Sequence, residues 1–186
     1  MRRLLLKSFV RGPLTEAAPA PDDAALAELA ARVNQASRKR LGRTLAIREV
    51  DAGSCNGCEL EIHALNNVLY DLERFGLRFV ASPRHADVLL VTGPVTANMR
   101  EALERTYQAT PDPKWVVAVG DCARDGGVFA GSSACVGGVS VVLPVDLHIR
   151  GCPPSPIVLL RGLLALLESV SAEVPKARTT QKEESS

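Results

Sequence analysis

Aromatic side chains are scarce in this chain, at 4% of 186 residues, and its basic residues are not interleaved with them. Unpaired bases stack on such rings, so a nucleic-acid surface is not expected. An excess of charge is lacking too: 22 Lys and Arg stand against 21 Asp and Glu. Nothing in that balance points to nucleic acid or to an acidic partner. No apolar run reaches the roughly 20 residues of a membrane span. The longest, Ile157–Val170, is broken by Arg161 and Glu168. An export leader is not expected either. Met1-Arg2-Arg3-Leu4-Leu5-Leu6-Lys7 opens like a twin-arginine signal, but Lys7, Arg11, Gly12 and Pro13 interrupt it before an apolar segment develops. The segment reads as a peripheral arm that docks on a partner or membrane surface, or as a frayed terminus. Five cysteines, an odd number, without a leader make a disulfide framework improbable; special cysteine spacings then point to metal or redox chemistry.

What is present is enough apolar residue, 46%, to bury one core. The expected organisation is an N-terminal arm and helix over 1–43, one domain over 44–171 and a polar, disordered tail over 172–186. Asp22 or Asp23 caps a helix through Ala24–Arg40, with Leu26, Leu29, Ala30 and Val33 on one face. The basic cluster Arg38, Lys39, Arg40 and Arg43 suits a solvated helix end. Leu45–Val50 alternates like a strand and runs into Asp51-Ala52-Gly53-Ser54-Cys55-Asn56-Gly57-Cys58. A helix is expected from Glu59 to Arg74, ended by Gly76. Arg78–Ala81, Asp87–Thr92 and Trp115–Val119 read as strands, the last two as continuous apolar runs typical of buried parallel strands. Thr96 or Asn98 caps a helix to Gln108. Val141–Leu147 reads as partly extended, and a helix from Ser155 to Glu168 closes the pattern. Strands alternating with helices predict an α/β fold, a mainly parallel sheet with helices on both faces, plus the N-terminal helical extension.

Cys55-x-x-Cys58, Cys122 and Cys152 each follow a predicted strand. A parallel sheet places those loops on one edge, where such folds bind ligands. Four thiolates there suit a 4Fe–4S cube, and the glycines around them let backbone approach it closely. Structural zinc and a thioredoxin-like dithiol at Cys55 and Cys58 stay open. Zinc sites more often use paired knuckles, and a dithiol leaves Cys122 and Cys152 unexplained. Cys135 reads as a small structural residue.

These motifs are Gly53-Ser54-Cys55-Asn56-Gly57-Cys58-Glu59-Leu60-Glu61, Gly120-Asp121-Cys122-Ala123 with Gly126-Gly127, and Pro144-Val145-Asp146 leading to Gly151-Cys152-Pro153-Pro154. In this order the chain, over Leu45 to Leu166, resembles the small iron–sulfur subunit of energy-converting membrane-bound NiFe hydrogenases and formate hydrogenlyases. That subunit is homologous to the 20-kDa, B-type subunit of NADH:quinone oxidoreductase (complex I). The resemblance implies a flavodoxin-like fold and one 4Fe–4S cluster held by Cys55, Cys58, Cys122 and Cys152. It also implies a large hydrogenase- or quinone-type subunit, a ferredoxin-like iron–sulfur subunit and a membrane arm as partners. The implied location is peripheral, on the cytoplasmic side of the inner (plasma) membrane. The Cys-x-x-Cys spacing is similar to the hydrogenase branch, whereas the quinone-reducing branch has adjacent cysteines.

Glu61 matches an acidic position of the family and is a candidate proton relay; its plainer role is to favour the helix dipole, as Glu59 is expected to do. His63, His85 and His148 read as ordinary side chains, and Asp121 and Asp146 as loop-ordering residues. No dinucleotide or P-loop glycine pattern is present, so a flavin or nucleotide site is not expected.

Overall fold

The computed structural model describes residues 23–68 and 70–170. The arm, including Asp22, and the tail from 172 lie outside the described residues. Helix α1 spans Asp23–Leu41. Val33 is buried, with Leu29, Ala36 and Leu41 packed beside it. The side chains of Leu26 and Ala30 are outside the described set. α1 lies along α5, Pro156–Val170.

Five strands form one parallel sheet: β1 Leu45–Asp51, β2 Leu77–Phe79, β3 Val88–Thr92, β5 Trp115–Val119 and β7 Leu147–Ile149, in the order β2-β1-β3-β5-β7. Counted among themselves the five run 2-1-3-4-5, the flavodoxin-like order. Beside the sheet, β4 (Val95–Thr96) pairs antiparallel with β6 (Cys135–Gly137). Every residue of β3 and β5 is buried, as continuous apolar strands require. Their side chains alternate between two cores. One joins Leu45, Ile47, Val88, Leu90, Val117 and Val119 to α1, α5 and α2 (Gly57–Ala64). The other joins Val50, Leu89, Val91, Val116 and Ala118 to α3 (Ala97–Ala109) and α4 (Gly120–Asp125).

Three expectations need correcting. The helix from Glu59 ends at Ala64 rather than Arg74. Asn66 and Asn67 compete with helix continuation: the Tyr70 N–H donates to Asn67 Oδ1 at 3.1 Å, and Asp71 sits at φ 40. Gly76, at φ 76, ends a separate 3-10 turn, Leu72–Phe75. The extended stretch expected over Val141–Leu147 is not a strand: Val141 closes a 3-10 turn, Val139–Val141, irregular chain follows, and β7 starts only at Leu147; Pro144 has no N–H for a ladder. Thr96 precedes α3, but its hydroxyl donates to Ala52 O at 3.1 Å instead of capping. The basic end of α1 is also less free than expected. Arg43 donates twice to Asp87, whose side chain is 5% exposed and also accepts the Ala46 N–H at 2.9 Å.

Candidate iron–sulfur site

The carboxyl edge of the sheet carries the cysteines. After β1, Asp51 Oδ1 accepts the Gly53 and Ser54 N–H groups, each at 2.7 Å, and Ser54 Oγ accepts Asn56 N–H at 3.0 Å. This tight loop, with Asn56 at φ 69, turns the chain into α2 with Cys55 before it and Cys58 in its first turn. After β5, α4 places Cys122 in its first turn. After β7, the loop at Gly151 carries Cys152. Asp121 ties these last two together: its N–H donates to Gly151 O at 3.0 Å. Asp146 also anchors the sheet, accepting the Val116 N–H at 2.8 Å.

The four cysteines line one cavity of about 100 Å³, together with Ser54, Gly57, Gly93, Asp121, Gly151 and Pro153. Cys135 is not among its lining residues; it sits half-buried on β6. Two glycines keep the sulfurs where they are. Gly120 has φ +87, and a Cβ there would lie 2.7 Å from Cys58 Sγ. A Cβ on Gly127 would lie 2.8 Å from Cys122 Sγ. Any side chain would fill the cradle that the sulfurs occupy. Burial pushes the Cys58 thiol up to about 12, with Glu59, Cys55, Cys122 and Cys152 adding like charge. Burial also raises Cys122, opposed by the Val128 N–H that points at its sulfur. The thiols therefore repel one another as anions, and a bound cation inverts that balance.

Among the described residues, no three His, Cys, Asp or Glu converge as ligands of a single metal ion do. Zinc needs its thiolates within about 2.3 Å of one point. A cube spreads four thiolates over four irons, so sulfurs arranged round a cavity fit it.

Glu61 is half-buried on α2 and does not line the cavity. Glu59 is the more enclosed of the two, at 7% exposure, and neither of its carboxylate oxygens has a hydrogen-bond partner among the described residues. The sequence reading gave Glu59 only a dipole role and passed over Glu49. Strand alternation offered a signal for the latter, since Leu45, Ile47 and Glu49 share one face.

The sequence profile of the NADH ubiquinone oxidoreductase 20 kDa subunit matches residues 55–166, from the first of these cysteines to α5. The chain belongs to this 20 kDa subunit family. It is an oxidoreductase subunit by that membership. Over 149 residues this 20 kDa-type subunit is 44% identical to the probable membrane-bound hydrogenase subunit mbhJ of Pyrococcus furiosus, covering 78% of this chain and 89% of that protein. It is 47% identical over 133 residues to formate hydrogenlyase subunit 7 of Escherichia coli, covering 70% of this chain and 52% of the longer relative. A chain in the solved structure of the membrane-bound sulfane sulfur reductase, an archaeal respiratory membrane complex, is 34% identical, with a TM-score of 0.63 and 76% of each chain covered. A chain of an NAD+-reducing [NiFe]-hydrogenase, at 22% identity, TM-score 0.55 and coverage of 72% of this chain and 97% of that one, shares the fold.

Proposed function

We propose that this 20 kDa-type subunit holds one 4Fe–4S cluster through Cys55, Cys58, Cys122 and Cys152. In this reading it relays electrons beside the active site of a membrane-associated oxidoreductase of the hydrogenase or formate hydrogenlyase type. The observation that carries the proposal is the single cavity lined by these four cysteines, each delivered by a strand end of one parallel sheet. When bound, the cluster supplies one-electron transfer at a potential set by burial and hydrogen bonds to sulfur. The chain's own residues do the rest. Gly120 and Gly127 leave room for the sulfurs, the Val128 N–H points at Cys122 Sγ, and half-burial of Cys58 limits water.

Leu60, 61% exposed on α2, and Val128, 81% exposed after α4, stand next to the cysteine loops. Exposed apolar surface of this kind suits a partner subunit. The partners in this reading are a large hydrogenase-type subunit, a ferredoxin-like subunit and a membrane arm. No helix among the described residues is long and apolar enough to cross a membrane, which agrees with a peripheral place, here the cytoplasmic side. Glu61 remains the proton-relay candidate of the sequence reading.

The test is anaerobic purification of the intact complex through a tag on this chain, followed by iron, nickel and zinc analysis. Iron with near-stoichiometric nickel supports the hydrogenase-type reading, and Cys122→Ser should then remove or convert the cluster spectrum. Iron without nickel favours the second reading, a quinone-type or nickel-free assembly, to which the ubiquinone-linked family and the sulfane sulfur reductase relative lend weight. Zinc without iron overturns the cluster.

A further inference from the structure

α4 carries more than Cys122. It holds one basic and two acidic side chains around that cysteine, and they form a connected group. Arg124 donates from Nε and Nη2 to Asp125 Oδ2, at 3.0 and 2.6 Å, and its Nη1 lies 3.8 Å from Asp121 Oδ1. The two aspartates lead to different cysteine loops. Asp121 Oδ1 also accepts the Gly151 N–H, at 3.4 Å, and the Asp121 N–H donates to Gly151 O; Gly151 directly precedes Cys152. Asp125 Oδ1 accepts the Gly127 N–H at 2.9 Å, and Gly127 is the residue that leaves room for Cys122 Sγ. The Arg124 backbone is packed closely in turn, because any side chain at Gly138 would run into Arg124 O. The Arg124 hydrogen bond and the Gly127 N–H hold the Asp125 carboxyl below its ordinary range. The charge of Arg150, next to Gly151, adds to this from the other loop.

Arg124, Asp121 and Asp125 are all partly exposed, and an isolated ion pair at such exposure contributes little to stability. This is not an isolated pair. One planar guanidinium reaches two carboxylates, and each carboxylate fixes a backbone N–H that sets the course of a cysteine loop. Groups that stand behind metal ligands in this way commonly change metal retention by about 10- to 100-fold.

We propose that Arg124 is a positioning residue: through Asp121 and Asp125 it fixes the Cys152 loop against the Cys122 loop and so keeps the Cys152 thiolate on the group that the cysteines hold. This rests on the cluster reading above. Cys152 is the ligand most dependent on such a brace. It follows β7, a rim strand joined to β5 only through Val117–Val119 against Leu147–Ile149, and the loop beyond that strand relies on Asp121 for its place.

The experiment follows the intact, anaerobically reduced complex under a ferrous-iron chelator, reading the electron paramagnetic resonance signal that Cys122→Ser loses. In Arg124→Ala this signal should decay about 10-fold faster than in wild type or more, while the thermal midpoint of the complex barely moves. Arg100→Ala removes an exposed pair with Glu104 on α3, outside the cysteine loops, and should show the wild-type rate. Adding Arg124→Ala to Asp121→Asn should accelerate decay less than it does alone, since the arginine has then lost its route to the Cys152 loop. Wild-type decay in Arg124→Ala, equal acceleration by Arg100→Ala, or full additivity in the double variant overturns the inference while leaving the cluster in place. A reduced wild-type complex with no such signal overturns the underlying reading instead. Should Arg124→Ala fail to assemble, Arg124→Lys decides, because it keeps the charge and loses the planar fork. Faster decay in that variant supports the inference, and wild-type decay overturns it.

Discussion

Replacing Gly120 with alanine separates two effects that glycine can serve. Gly120 and Gly131 have nearly the same positive φ, +87 and +83. An alanine in that region costs roughly 1–2 kcal/mol at either position. Around Gly131 a Cβ meets nothing within 4 Å, whereas at Gly120 it would lie 2.7 Å from Cys58 Sγ and 3.3 Å from Gly151 O. One of those neighbours must move, at an overpacking cost of about 1–3 kcal/mol. Gly131→Ala should therefore lose about 1–2 kcal/mol and Gly120→Ala about 2–5 kcal/mol. In a chain of this size each kcal/mol lowers the thermal midpoint by roughly 2–4 °C. The displaced sulfur gives a second readout, since Gly120→Ala should lower iron per purified complex and Gly131→Ala should not. Equal destabilisation by the two variants, or full iron content in Gly120→Ala, would refute the cradle argument.

Cysteine identity gives a sharper contrast: Cys135→Ser should keep the visible spectrum and iron content that Cys122→Ser loses, because Cys135 stands outside the cavity lining. Asp87→Ala should cost about 1–3 kcal/mol in thermal denaturation, as it leaves the buried Ala46 N–H without its acceptor, while the Arg43 guanidinium, on a side chain 55% exposed, turns to solvent. Arg32→Ala, which breaks a pair exposed on both sides, should cost under about 1 kcal/mol. Gly162→Ala runs against helix propensity. Alanine gains about 1 kcal/mol in a helix interior, yet its Cβ would lie 2.4 Å from Ile149 Cδ1, so the same denaturation should show a net loss.

The parts of the fold written by burial were readable in advance. Val88–Val91 and Trp115–Val119 are apolar at every position, and both lie in interior strands. The cysteine loops were equally plain, because parallel strands carry their carboxyl ends to one edge whatever lies between them. What sequence missed depended on local competition or on tertiary neighbours. The periodicity after Glu59 looks helical through Arg74, but the asparagine side chain at 67 satisfies backbone and turns the chain. Arg43 looked like a solvated end until Asp87, distant in sequence, was folded beneath it. Glu59 looked like any first-turn acid; its enclosure arises only in the folded chain, which no window around Cys58 displays.

The placement of the cysteines also bears on how the protein is made. Cys55 and Cys58 follow β1, Cys122 follows β5, and Cys152 follows β7, an edge strand that pairs with β5 over three residues. The sheet therefore has to extend from β1 through β3 and β5 to β7 before the fourth thiol reaches the other three. A group bound by all four ties an inner strand, its second neighbour and the rim together across long stretches of chain, and it stabilises the folded state by its binding energy. Loading is then a late event in biogenesis, and a loaded sheet cannot fray from β7 inward without first giving up a ligand.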